Sequence, residues 1–324
     1  MRLTGTVECG VWDELTTMAM GSPAVIIAGD APREALDWAQ STLQVLEHCW
    51  SRFLPDSELS ALNRSAGQWF TMSHALANAV DRALRLPGMT GGLFDPTIHQ
   101  RLEALGYDRP FRILERSQRG TVPPPSQAPG VGGIERDGAS IRLPLGTSLD
   151  LGGVGKGLAA DIIATGLVEM GATSACVSLG GDIRVTGGVP EDGGWSIPIG
   201  DPNDSSRQLG FVLTAHAAIV TSTTAFRSWT RNGRPMHHLI DPRNGMPAEV
   251  GVRAVVVTAP EAWLAEAFAK AALIAGPVAG RRLLDQAGLG GWLIGVDGSC
   301  TATEWAPQMT NASRRSNGRD AWLP

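Results

Sequence analysis

The stretch LDLGGVGKGLAADII, Leu149 to Ile163, sets four glycines and one lysine between two leucines and a run of helix formers. Leu149 and Leu151 read as the end of a strand, Gly152 and Gly153 as backbone that lets a ligand approach closely, and Lys156 to Met170 as a helix. A helix start presents free N–H groups, which attract anions. Lys156 adds a positive charge at the same end. A cation there opposes the helix dipole and is tolerated more readily when an anion sits between, so the pattern has the logic of a phosphate cradle. The plain alternative is a tight turn with a solvated lysine.

Two common phosphate loops do not match. A P-loop needs a glycine five residues before the Gly-Lys pair and a Ser or Thr after it. Here Asp150 stands five residues before Gly155, and Gly157 follows Lys156. The dinucleotide fingerprint needs G-x-G-x-x-G, whereas Gly153, Gly155 and Gly157 are spaced by two.

Outward from the loop, the first hundred residues read as helix-rich. Ala31 to Trp50 has Leu36, Leu43, Leu46 and Trp50 near helical spacing, and Asp56 and Ser57 can cap a short helix bearing Leu59 and Leu62. Ser73 to Leu86 reads as another helix, stopped by Pro87 and Gly88. Asp108 to Gly138 reads as surface loop. Strands are expected at Ser140–Leu143, Ser174–Leu179, Ile183–Thr186, Trp195–Ile199, Phe211–Thr214, Ala254–Thr258 and Gly291–Val296. Two late helices are expected, a nearly all-apolar one at Glu261–Ala275 and another at Val278–Ala287. The organisation expected is one domain over residues 1–310 and a polar, disordered tail over 311–324.

At 324 residues, with 43% hydrophobic and 18% charged content, the chain can bury a substantial core without staples. A net charge of −5 gives no general attraction to nucleic acid, so a polyanionic ligand needs a local site. The four cysteines are far apart and form no C-x-x-C pair. No segment approaches the roughly 18 apolar residues of a membrane span, and the acidic first thirty residues do not form a secretory signal. A cytoplasmic enzyme or binder is expected.

LDLGGVGKGLAAD, followed at Val177 by VSLGGDIRVTG, resembles the signature of the ApbE family, the FAD:protein FMN transferases. AMGS at Ala19–Ser22, SRFLPDSELSALN at Ser51–Asn63, GLFDPTIHQRLEALGYD at Gly92–Asp108 and HHLIDPRNGMPA at His237–Ala248 match in the same order. The resemblance covers roughly Thr17 to Asp297. It implies an α+β fold with a mixed or largely antiparallel sheet core flanked by helices. It also implies transfer of the FMN half of FAD to a Thr or Ser hydroxyl of a target flavoprotein, with release of AMP.

Carried over by motif, the FAD contacts fall on Met20, Phe53, Thr97, Ile98, His99, Asp150 and Lys156. The residue types suit the task. Lys156 matches a pyrophosphate, Asp150 a ribose or ring N–H, and Met20 and Phe53 a flat ring. His238 is the expected base for the acceptor hydroxyl, because strand alternation sends His237 and His238 to opposite faces and the family histidine aligns with the second. In TSTTAFR, Thr221 and Ser222 are hydrogen-bond donors suited to phosphate oxygens, or equally a hydroxyl-rich strand end, and Thr223 stands where the family has glycine.

One departure stands out. The resemblance implies a magnesium ion held by the Gly153 carbonyl and by an Asp and a Thr four residues apart on a helix. Here EAWLAEAFAKAALIAG supplies Glu266 and Lys270 instead. Glutamate can ligate magnesium, whereas a protonated lysine cannot. The pair is either an ordinary i, i+4 ion pair or a charge replacement in which the Lys270 ammonium occupies part of the metal's place. The expected acceptor carries a D-x-x-[ST]-G-A-[ST] motif. The chain itself has only GAT at Gly171–Thr173, which reads as a helix stop, so self-modification is not expected. Two rival readings use the same pocket: an FAD pyrophosphate hydrolase giving FMN and AMP, and a non-catalytic FAD-binding protein.

Overall fold

The computed structural model describes residues 12–188 and 194–310. Its centre is an eight-stranded sheet in the order Trp12–Ala19, Ser22–Gly29, Ser174–Leu179, Asp182–Gly187, Ala217–Thr223, Val252–Ala259, Gly290–Gly295 and Cys300–Ala302. Every neighbouring pair in this sheet is antiparallel. The expected α+β class with a largely antiparallel core is what the chain adopts.

The helices are α1 (Ala35–Trp50), α2 (Glu58–Arg64), α3 (His74–Met89), α4 (His99–Ala104), α5 (Gly155–Glu169), α6 (Ala262–Ala275) and α7 (Pro277–Gln286). The main sheet is buried on both faces. Val255 and Val257 join the helices' core, whereas Ala254 and Val256 face a second cluster with Trp195, Ile197 and Val212. That second cluster belongs to a three-stranded sheet of Trp195–Asp201, Asp204–Thr214 and Met309–Thr310. Double burial explains why the central strands read as continuous apolar runs rather than alternating ones. A third cluster, built on Leu102, Leu105, Tyr107, Trp229 and Met236, forms a separate aromatic wall.

Several expectations need correction. The first hundred residues also hold the hairpin Trp12–Ala19/Ser22–Gly29, closed by the two-residue turn Met20-Gly21 with φ of 50° and 68°. Positive φ at both turn residues matches the twist of the flanking strands, and at Met20 it is adopted against the steric preference of a side chain. Helix α1 starts at Ala35 rather than Ala31, and α3 continues past Pro87 to Met89. A proline in the last turn removes only its own N–H, and Thr90 closes the helix by bonding Leu86 O through both backbone and hydroxyl. Leu149 and Leu151 do not end a strand; the preceding strand is Ser140–Arg142, and loop follows it. The Asn63 side-chain amide takes the place of a neighbouring strand, accepting from Leu149 N–H at 2.8 Å and donating to Leu149 O at 2.9 Å. The expected tail at 311–324 lies outside the described residues. Among the described residues, no helix is long and apolar enough to cross a membrane.

Candidate active site

A cavity of about 580 Å³ opens between the glycine loop, the Met20-Gly21 turn and the aromatic wall. That volume suits a nucleotide-sized ligand. Of the residues expected at the site, Met20, Phe53, Ile98, Asp150, Gly153, Lys156, His238 and Lys270 line it. Thr97, His99, Thr221, Ser222 and Glu266 do not.

The residues off the wall have visible work. Thr97 donates its hydroxyl to Asp95 Oδ1 at 2.6 Å and accepts from Gly130 N–H. His99 Nδ1 lies 2.9 Å from Ser148 Oγ, and Pro96 O accepts from Asp150 N–H at 2.8 Å. This segment therefore holds the loop that carries Asp150. Thr221 and Ser222 lie in the strand Ala217–Thr223, paired with Val256 and Val255. Neither borders the cavity: Ser222 is buried in the sheet and Thr221 is exposed.

Asp150 is tied to Arg52, whose Nε stands 2.9 Å from Asp150 Oδ2. The guanidinium lies 4.1 Å from the Phe53 ring centroid and 4.7 Å from that of Tyr107. Its Nη1 donates to Tyr107 O, and its Nη2 is buried without a partner. Phe53 and Tyr107 are 5.6 Å apart between centroids, and Tyr107 rests on Trp229 at 5.5 Å. One end of the cavity is thus a flat-faced, aromatic and guanidinium surface. Arg52, Tyr107 and Arg227 are functional candidates that motif reading passed over. Arg52 and Tyr107 lie inside quoted motifs, but only the fold shows that they stack.

At the other end is a buried ionic quartet. Lys156 Nζ contacts Asp182 Oδ2 and lies 2.6 Å from Glu266 Oε1. Lys270 Nζ is 3.0 Å from the same Glu266 oxygen. Glu266 Oε2 accepts from the Gly157 N–H at 2.9 Å, so this fully buried carboxylate also caps α5. Asp161 on α5 returns the favour by accepting from Ala262 N–H and Trp263 N–H at the start of α6. The anion that reconciles Lys156 with the helix dipole is therefore the protein's own. Burial opposes the Lys156 charge, but Asp182 and then Glu266 outweigh it and hold its pKa above the ordinary lysine value. Burial pulls the Lys270 pKa down; Glu266 resists this and Lys156 reinforces it.

Of the two histidines, His237 is structural. Its Nε2 bonds the Ala248 carbonyl at 3.0 Å and its Nδ1 accepts from Leu239 N–H. His238 follows the end of the strand Arg234–His237 and faces the cavity. Its Nδ1 is buried without a partner. Burial, with the charges of Arg227 and Lys270 beside it, holds the imidazole well below its ordinary value, so it is neutral at neutral pH.

The residues implied as magnesium ligands do come together. Lys270 bonds Glu266, and a Cβ on Gly153 would meet Lys270 Cδ at 3.4 Å. Their chemistry does not fit a divalent cation. Glu266 has one oxygen taken by two ammonium groups and the other by an amide, and a protonated lysine has no lone pair to give. Among the described residues, no group of three or more His, Cys, Asp or Glu is placed to hold a metal ion.

Fold and cavity together define an α+β protein whose pocket pairs a flat aromatic face with a buried cationic end and an imidazole whose Nδ1 is unpartnered. The chain belongs to the ApbE family, whose model matches residues 20–292. It is 31% identical over 262 residues to the FAD:protein FMN transferase of Treponema pallidum (strain Nichols), covering 75% of this chain and 71% of that protein. It is 26% identical over 293 residues to the FAD:protein FMN transferase of Escherichia coli (strain K12), covering 86% and 82%. In fold it is similar to the ApbE protein of Thermotoga maritima, with a TM-score of 0.79 at 23% identity, over 91% of this chain and 97% of that one. The apo flavinyl transferase ApbE of Pseudomonas stutzeri gives the same TM-score and identity.

Proposed function

We propose that this chain transfers the FMN moiety of FAD to a threonine or serine hydroxyl of an acceptor flavoprotein, releasing AMP. The observation that carries the reading is the joining of two unlike surfaces in one cavity. Phe53, Met20 and the Arg52 stack offer a face for a flat ring, and Lys156, Lys270 and Arg227 offer positive charge for a pyrophosphate. Asp150 is held ready as an acceptor for ribose or ring donors.

Phosphoryl transfer depends on positioning, charge neutralisation and removal of the acceptor's proton. In the proposed reaction the acceptor oxygen bonds the FMN phosphorus, and the bond from that phosphorus to the bridging oxygen breaks. The bridging oxygen leaves with AMP, and the hydroxyl proton passes to His238. A neutral imidazole with an open Nδ1 is suited to that step. Lys156 and Lys270 meet the charge that builds on the leaving phosphate. Thr97, His99 and Asn63 act indirectly, by fixing the loop that presents Asp150.

The partner we propose is a flavoprotein bearing a D-x-x-[ST]-G-A-[ST] motif. The location we propose is the cytoplasm, supported by Cys49, Cys176 and Cys300, all free thiols. The test is to follow AMP release from FAD with and without an acceptor of that motif. Release that requires the acceptor supports the transferase; equal release into water alone would make the chain an FAD hydrolase.

A further inference from the structure

At the cationic end of the cavity, two ammonium groups converge on one carboxylate oxygen of the quartet. Lys156 and Lys270 both stand on Glu266 Oε1, from different elements, and both line the cavity. A cation seated on that oxygen would have to displace both ammonium groups from a fully buried carboxylate, and Gly157 N–H already holds the second oxygen. The donor arithmetic also favours a role toward ligand. An ammonium carries three N–H bonds. Lys156 spends two, on Asp182 and Glu266, and Lys270 spends one, on Glu266. The remaining three have no partner among the described residues, although their nitrogens border the cavity.

We propose that the Lys156–Lys270 ammonium pair replaces the divalent cation, so that this chain binds FAD and transfers FMN without a metal. The proposal rests on the transferase reading above and specifies how its charge is neutralised. The two carboxylates set the pair's position: Asp182 and Glu266 anchor Lys156, and Glu266 alone anchors Lys270, leaving the latter freer to turn toward a phosphate. Arg227, held by its Nη2 on Ser22 Oγ at 2.9 Å, supplies the further positive charge at the same wall. Bond making and breaking are unchanged: the phosphorus-to-bridging-oxygen bond breaks, AMP leaves with that oxygen, and ammonium N–H groups rather than a metal meet its charge.

The test uses the full chain stripped by chelator, with metal content read by plasma mass spectrometry. FAD affinity is read by quenching of flavin fluorescence, and FMN transfer by the mass of the acceptor. Both are expected to agree within about twofold between chelator and added magnesium. Lys270→Met, which keeps the length but not the charge, is expected to weaken FAD binding and slow transfer by roughly tenfold or more, while Lys270→Arg retains most of both. Circular dichroism melts separate loss of charge from loss of fold, and Lys270→Arg keeps the test decisive should Lys270→Met unfold. Transfer that falls more than about tenfold in chelator and returns with magnesium overturns the proposal and leaves the transferase reading standing. Lys270→Met matching the natural chain in chelator also overturns it. Absence of transfer under every metal condition overturns the transferase reading, and the proposal with it.

Discussion

His238 carries the proton in the proposed chemistry, and its surroundings fix a pH dependence. Burial first, then Arg227, Lys270 and His237, hold its pKa well below 6.5. A general base acts only unprotonated, so activity is present above its pKa and lost as pH falls through it. The acidic limb of kcat/KM is therefore expected below pH 6.5, and a limb at or above that value would assign the proton to another group. Lys156 makes a second residue-scale prediction. Lys156→Met leaves Asp182 and Glu266 with Lys270 alone, so urea melts should show a loss of about 3–5 kcal/mol, together with weaker FAD binding. That Lys156, Asp150 and His238 line the cavity was expected from the sequence, because each sits in a motif whose residue type suits one task. Thr97 and His99 lay in an equally clear motif yet work one layer back, since a pattern marks a segment's importance without saying which way its side chains point. Thr221 and Ser222 differ again: they alternate across a strand in the middle of the sheet, Thr221 exposed and Ser222 buried, and neither borders the cavity.

Among the elements, α5 and α6 are locked by exchanging carboxylate caps, Glu266 to α5 and Asp161 to α6. Gly157 permits the approach. A Cβ there would stand 2.4 Å from Ala262 O and 2.6 Å from Trp263 N, both backbone atoms that cannot step aside. Gly157→Ala is expected to cost about 1–3 kcal/mol or more, read as a lowered Tm, and an unchanged Tm would refute the close packing. Asp161 adds a pH dependence. Burial raises its pKa to about 6 from 3.8, so its stabilising contribution is present below 3.8 and lost as pH rises through about 6. The stability advantage of the natural chain over Asp161→Asn should therefore shrink as pH is raised across that window in parallel melts. Elements whose apolar faces are continuous, such as α6 and Ser174–Leu179, were readable to within a residue. The hairpin Ser228–Arg231/Arg234–His237 was not read as one, although Asn232-Gly233 at its turn is a strong local signal for it. The strand expected before Gly152 was read from two leucines, whose burial comes instead from a loop clamped by Asn63.

Across the whole molecule, the antiparallel sheet with helices on one face and a small sheet on the other leaves its cavity where long-range segments meet. Residues near 20, 52, 107, 150, 227, 238 and 270 come together there. A motif search finds these segments as an ordered series; only folding makes them one surface, which is why the aromatic stack and the convergence of Lys156 and Lys270 on one Glu266 oxygen escaped a linear reading. The account's central claim is that this surface moves FMN from FAD to a hydroxyl with His238 as the base. The most direct measurement is the intact mass of an acceptor domain incubated with FAD and either the natural chain or His238→Ala. The account predicts a gain of one FMN with the natural chain, and a rate lower by about 10²–10⁴-fold with His238→Ala at retained FAD affinity. An acceptor that gains FMN equally fast with both proteins, or gains none with either, would contradict it.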